Sequence, residues 1–169
     1  MGIVAKTKNF PWPTLDMELS KLQALTQSME DAGWTYGFGA KVNSISAQAA
    51  SVGVGGRKVD CSGFTRWAIF HACTGLLVPD GSANFHSWCI ATGFKPSTPD
   101  AMLLKDGAIR VAFLAPGDTP SGIGHVLFAA NALTYESHGG KGPDSRAVDF
   151  SLHPFMARMH VFVLTPPSG

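Results

Sequence analysis

The chain has 169 residues, 45% of them hydrophobic, with 15% charged residues and a net charge of +1. A chain of this size buries roughly 70% of its unfolded surface and can form one domain with a full core. No Lys/Arg run exceeds the pair Arg57-Lys58, and no window nears the ~18 uninterrupted apolar residues of a membrane span. Composition therefore argues against a nucleic-acid footprint and against a spanning helix. The N-terminal stretch MGIVAKTKNFPWPTLDMELS lacks the apolar run of a secretory signal. The chain is expected to be synthesised in the cytoplasm and unable to export itself by that route.

Phe10-Pro-Trp-Pro reads as an extended entry. Thr14 is expected to cap a helix over Leu15–Ala32, in which Leu15, Leu19, Leu22 and Met29 keep near-helical spacing and Gly33 ends the run. Asp16 and Glu18 fall in its first turn, where the helix dipole favours them. The following stretch, rich in Gly, Ala and Ser, has no sustained period and reads as loop with one short helical turn. A second helix is predicted over Cys61–Cys73, closed by Gly75. A third spans Ala83–Ala91 between Ser82 and Gly93, and a short fourth runs from Ser97 to Gly107. Beyond residue 107, AIRVAFLA, HVLFAANALTYES, RAVDF and MHVFVLT are short β-rich runs. Helices first and strands second is an α+β pattern, an antiparallel sheet covered by segregated helices. The expected organisation is one domain: an N-terminal extension and helix over 1–32, a core over 33–165 and a flexible tail over 166–169.

Three cysteines, Cys61, Cys73 and Cys89, cannot all pair, and no CxxC is present, so a reactive or reduced thiol fits better than a disulfide framework. A zinc set could be assembled from His71, Cys73, His86 and Cys89, but it lacks the paired short-spaced ligands of structural zinc sites, and no metal is expected. The loops GVGGRK and GFGAK resemble phosphate loops only superficially, since neither holds GxxxxGK[ST], and no cofactor is expected.

Cys61 stands apart from the other two. Asp60 directly before it is a good N-cap, which puts Cys61 at the first helical position. There, unpaired backbone N–H groups and the helix dipole favour an anion, and a thiolate is one. Gly63 leaves space beside the sulfur. Most free cysteines are simply small buried hydrophobes, and Cys73 and Cys89, inside or ending apolar runs, fit that description. A nucleophilic thiol also needs a base from elsewhere in the fold. His71 lies nearly three turns along the same helix and cannot reach. His125 begins one strand and His138 ends the next, so a two-strand meander would set the two side by side, as a base and its orienting partner require. The alternative is that both are satisfied surface histidines.

VDCSGFTRW, then GHV, then a second histidine, with WTYGFGAK upstream and LAPGD before the histidine strand, resembles the NlpC/P60 family of papain-like cysteine peptidases. The likeness covers roughly residues 33 to 150 in the family's order. Only TPSGIG separates PGD from His125, and Leu127 and the split pair Gly37 and Gly39 depart from the usual pattern. The resemblance implies a papain-like fold, with Cys61 as nucleophile, His125 as general base and acid, and His138 as the third polar residue. It also implies Tyr36 lining the site beside the oxyanion, and Asp60 and Ser62 flanking the substrate's amino end, although either can simply cap the helix. Family substrates are peptidoglycan stem peptides, cut between γ-D-glutamate and the diamino acid. A cation should meet the free glutamate carboxylate, with Arg146, Lys141 and Arg57 as candidates.

The function expected on this basis is hydrolysis of cell-wall stem peptides. The alternatives are a peptidoglycan amidase cutting the muramoyl–L-Ala bond, a lipid or ester acyl hydrolase on the same Cys-His-His site, or a non-catalytic binding module. A cell-wall substrate and the absence of an export signal are reconciled by delivery to the periplasm or wall, as a phage lytic enzyme or as an antibacterial effector with a cognate immunity protein in the producing cell.

Overall fold

The computed structural model of the chain describes residues 4, 5 and 10–168, the first two by their backbone alone. The rest of the expected N-terminal extension before Phe10, and Gly169 of the tail, lie outside the described residues. Chain order is β1 (Val4–Ala5), β2 (Thr14–Leu15), α1 (Leu19–Asp31), β3 (Thr35–Tyr36), β4 (Lys58–Val59), α2 (Cys61–Ala72), α3 (Ser82–Thr92) and β5 (Lys95–Ser97). Then follow β6 (Arg110–Leu114), β7 (His125–Ala130), β8 (Leu133–His138), β9 (Gly142–Ala147) and β10 (His160–Val163). The architecture is mixed α+β, built on a six-stranded antiparallel sheet in the order β5-β10-β6-β7-β8-β9.

Alternation along the central strands explains the near-continuous apolar runs after residue 107. Val111, Phe113, Val126, Phe128 and Tyr135 face one side and join the core formed with α1, α2 and α3. Ala112, Leu114, Leu127 and Ala129 face the other and pack against Met102, Met156 and Met159 from two 3₁₀ turns, Pro99–Leu103 and Pro154–Arg158, and their flanks. A strand buried on both faces has no polar stripe to show. The β7–β8 hairpin turns on Asn131 and Ala132, both at positive φ (51° and 64°), a two-residue connection whose twist matches the flanking strands.

Three predicted elements are redrawn. The first helix begins at Leu19, because Thr14–Leu15 is a strand pairing with β1 and the Leu15 amide donates to Leu164 O at 2.7 Å. Glu18, not Thr14, stands at its N-cap. The fourth predicted helix is instead strand β5 followed by a 3₁₀ turn. Pro96 is accommodated there because β5 is an edge strand paired only with β10. The last hairpin strand covers Gly142–Ala147 rather than RAVDF, drawn upstream by its register on β8, Glu136 opposite Asp144 and Thr134 opposite Arg146.

The loop between residues 37 and 56 carries two short 3₁₀ turns, and its flanks pair in parallel, β3 with β4. That pairing delivers the chain to the start of α2 beside Tyr36. Gly142, at φ +129°, lies so close to Trp34 O that a Cβ there would stand 2.7 Å from it, so β9 can pass under β3 only as glycine. At the other end of the chain, Ser168 is tied down by its amide, which donates to Asp106 O at 2.8 Å.

Candidate active site

The second helix forms as its sequence predicts. Asp60 is extended, and its carboxylate accepts from the Gly63 amide at 2.7 Å, an N-cap bond worth about 1 kcal/mol. A Cβ on Gly63 would fall 2.8 Å from Val59 Cγ2 and 3.0 Å from both Ala40 O and the capping carboxylate oxygen. The glycine is therefore needed for the cap and for the close approach of the preceding loop, a sharper requirement than space beside the sulfur. Cys61 is the first residue of this helix and is 7% exposed. Phe64 and Phe128 meet edge-on at 6.4 Å, which packs α2 on β7, and the first residues of the two elements meet through a side-chain hydrogen bond between Cys61 and His125.

The His125 side chain is 17% exposed, and its Nε2 donates to Oε1 of Glu136 at 3.0 Å. Nδ1 is left as the ring nitrogen for the Cys61 sulfur. Burial works against charge on this ring, but hydrogen bonds and charge from Cys61 and Glu136 overcome it and raise the imidazole to about 9. Glu136 is fully buried. Burial alone would raise its carboxyl, yet the bond and charge of His125, a bond from Thr134 and the charge of Arg146 hold it down at about 2. The Arg146 guanidinium forks onto both oxygens, Nη2 to Oε1 at 3.1 Å and Nε to Oε2 at 3.4 Å. The ring thus stands between a buried carboxylate and the Cys61 sulfur, both of which favour its charged form. Such an arrangement can keep sulfur as thiolate, fix the ring's orientation and return a proton to a leaving group.

His138 does not hold His125. The β7–β8 ladder runs only from Ala130↔Leu133 to Phe128↔Tyr135, and His125 and His138 lie beyond its last bonded pair. Across that end the ring of His125 meets the diagonal neighbour on the same face, Glu136, rather than the residue opposite. His138 is occupied elsewhere: its Nε2 donates to Asp144 Oδ1 at 2.8 Å and Nδ1 bonds Gly139 O at 3.2 Å. Sequence reasoning misses Glu136. In the run TYES it reads as one polar step of an alternating, half-exposed strand. The available signal is its parity, two residues before His138 and therefore on the same face, one step deeper into the sheet.

Tyr36 and His125 both line a cleft of about 390 Å³, together with His138, Arg146, His153 and Phe155. Burial, then the charge of Cys61, then that of Asp60 raise the Tyr36 phenol, which keeps its proton as a donor toward the site. No carboxylate lines this cleft among the described residues. Of the three candidate cations for a substrate carboxylate, Arg146 lines the cleft with its Nε and Nη2 bonded to Glu136, while Lys141 lies outside the cleft lining and pairs with Glu30 and Asp144. Arg57 spends its guanidinium on the carbonyls of Val52, Ala32 and Ala50. The glycine loop containing it is thus a structural clasp.

Asp60 and Ser62, on either side of the cysteine, share one partner that the sequence did not single out. Lys41 Nζ bonds Asp60 Oδ2 at 2.5 Å, Asp60 Oδ1 at 2.6 Å and Ser62 Oγ at 2.7 Å, with Asp80 Oδ1 at 3.4 Å.

The other cysteines are buried thiols pushed up by desolvation, Cys73 to about 11 and Cys89 to about 12. The four residues of the zinc alternative disperse: His71 Nε2 bonds Ile45 O at 2.9 Å, and His86 bonds His160 at 3.1 Å. Among the described residues no cluster of three or more His, Cys, Asp or Glu could hold a metal ion, and no helix is long and apolar enough to cross a membrane. Neither a scan against protein-family models nor a search of curated proteins found a match for the chain.

Proposed function

We propose that the protein is a cysteine hydrolase in which Cys61 attacks an acyl carbon, His125 carries the proton and Glu136 orients His125. The observation that carries this reading is the arrangement of first residues: Cys61 opens a capped helix, His125 opens the strand beneath it, and the ring of His125 reaches back to a buried carboxylate. The Cys61 thiolate would add to the carbonyl. The oxyanion would be met by the Cys61 backbone N–H and the Tyr36 hydroxyl, and His125 would protonate the leaving amine. Water activated by the then-neutral imidazole would resolve the thioester.

Within that class, the particular activity we propose is a peptidoglycan endopeptidase of the NlpC/P60 type, with a papain-like fold, cutting the γ-D-glutamyl–diamino-acid amide. The motif order around VDCSGFTRW and GHV supports it, as does a cleft lined by Arg146 and three histidines and by no carboxylate, suited to a substrate with a free carboxylate beside the scissile bond. Action outside the producing cell, by phage or contact-dependent delivery, with an immunity protein as partner, belongs to the same proposal. The test is mass spectrometry of muropeptides after digestion of purified sacculi by the protein and by Cys61→Ala. Stem peptides shortened to a glutamyl end, only with the wild type, are expected. Muramic acid released free of peptide would make the enzyme an amidase, and cleavage of lipid esters with sacculi untouched would overturn the cell-wall substrate.

A further inference from the structure

A second hollow, of about 200 Å³, shares Leu114 with the cleft and opens between α3, the end of β6 and the start of β10. It adjoins the candidate active site, since a Cβ on Gly124, the residue before His125, would stand 2.9 Å from Ser82 Oγ in its wall. Two histidines line it, His86 from α3 and His160 from the first position of β10, with His86 Nε2 3.1 Å from His160 Nδ1. The core behind fixes both. His160 sits opposite Phe113 in the β10–β6 ladder, and the His86 ring packs edge-on against Phe113 at 5.1 Å and Phe162 at 5.6 Å. The wall also carries the hydroxyls of Ser82 and Ser87 and, among the described residues, no lysine, arginine or carboxylate.

We infer that His86 and His160 form a two-histidine site for a divalent transition-metal ion of the imidazole-binding kind, zinc or copper. Two imidazole nitrogens, each about 2.0–2.1 Å from one ion and roughly at a right angle, stand about 3 Å apart, which is their separation here. A hydrogen bond between two surface rings gives the same distance. What favours the ion is the surroundings: the pair opens onto a hollow with room for coordinated water, and no fixed cation lines it to repel a metal. Burial, and then the charge of His160, lower the His86 imidazole and keep it in the neutral form that a metal requires. On binding, the ring that donates in the hydrogen bond moves its proton to its other nitrogen, so both facing nitrogens offer lone pairs and no proton is released. Among the described residues no third His, Cys, Asp or Glu joins the pair, so water and the serine hydroxyls complete the shell. Magnesium and calcium, which take oxygen ligands from carboxylates, find none. The bound ion would tie α3 to β10 beside the cleft, whatever reaction the cleft performs.

The experiment titrates the full chain with zinc chloride, in a Cys61→Ala background so that no active-site thiolate competes, and follows heat and the ring-nitrogen NMR signals of the histidines. Zinc should move His86 Nε2 and His160 Nδ1 together and raise the unfolding temperature, while magnesium chloride does neither. His86→Ala and His160→Ala should each weaken zinc binding by at least about tenfold, and His138→Ala should leave it unchanged. Signals that shift only at His138 or His153, affinity unaltered in both single variants, or no zinc binding below about 1 mM would each overturn the inference. The ring signals of the parent chain decide the matter even where a variant fails to fold. Turnover of peptidoglycan is read separately, and its failure would count against the hydrolase without touching this site.

Discussion

Two histidines stand near one another at the open end of the β7–β8 hairpin, and each has a carboxylate and a cation behind it. His125 bonds Glu136, which Arg146 clamps, while His138 bonds Asp144, which Lys141 reaches at 3.1 Å. The two sets differ in depth and in what lies in front. Glu136 is fully buried and held at about 2, and its histidine faces Cys61. Asp144 shares its charge with a half-exposed lysine, and the ring of His138 is held by Asp144 with its other nitrogen 3.2 Å from Gly139 O rather than facing a nucleophile. A histidine with a carboxylate partner is common; one nitrogen left over, aimed at a nucleophile, is what distinguishes a base from a structural link.

Substitutions separate the two sets. His125→Ala should abolish turnover, since proton transfer alone is worth roughly 10²–10⁴-fold and the means of ionising the thiol goes with it. Glu136→Ala should reduce turnover by at least about 100-fold and, by leaving Arg146 and His125 without their anion, destabilise the fold by about 3–5 kcal/mol. His138→Ala should cost less than about fivefold in turnover and about 1 kcal/mol in stability. Parallel kinetics and urea unfolding of the three variants would check this. Equal losses for Glu136→Ala and His138→Ala would erase the distinction.

Alkylation sharpens it further. At neutral pH, iodoacetamide should modify Cys61 at least about 100-fold faster than Cys73 or Cys89, whose thiols stand at about 11 and about 12. Peptide mass spectrometry over time reads the order directly, and uniform labelling would contradict it. The advantage of Cys61 should vanish in His125→Ala and survive in His138→Ala.

The pH dependence of stability follows from the same pair. His125 is raised from 6.5 to about 9, so its contribution is complete below about pH 6.5 and is lost as pH climbs through 9. Glu136 is lowered from 4.5 to about 2, so its contribution is complete above about pH 4.5 and is lost as pH falls through 2. Thermal unfolding should therefore give a plateau between those limits. Glu136→Gln should flatten both limbs, and His138→Ala neither. A smaller effect is expected at the helix cap, where Gly63→Ala crowds Val59 and Asp60 and should cost about 1–3 kcal/mol.

What could be read from sequence depended on whether the signal was local. Asp60 and Gly93 announce helix ends by capping chemistry, and α2 and α3 lie within a residue or so of their predicted bounds. Where a distant partner decides, local reading fails. The Leu15 amide is taken by Leu164, 149 residues away, which removes the first turn from α1. Gly142, Pro143 and Asp144 have poor strand propensity and become β9 only by pairing with β8. The candidate site divides the same way. Cys61 and His125 stand at element starts, where sequence marks them. Glu136 and Lys41 gain their meaning only from the sheet register and from a loop folding back, neither of which leaves a pattern along the chain.

The most direct measurement is the turnover of Glu136→Gln beside His138→Asn on the same peptidoglycan substrate, at matched folded fraction. Glu136→Gln keeps the length of the side chain and removes its charge, and His138→Asn keeps a polar group while removing the imidazole. The arrangement of His125 between Cys61 and Glu136 predicts a fall of about 100-fold or more in kcat for Glu136→Gln, with KM little changed, and near wild-type kcat for His138→Asn. A Glu136→Gln enzyme that works normally while His138→Asn is crippled would contradict it.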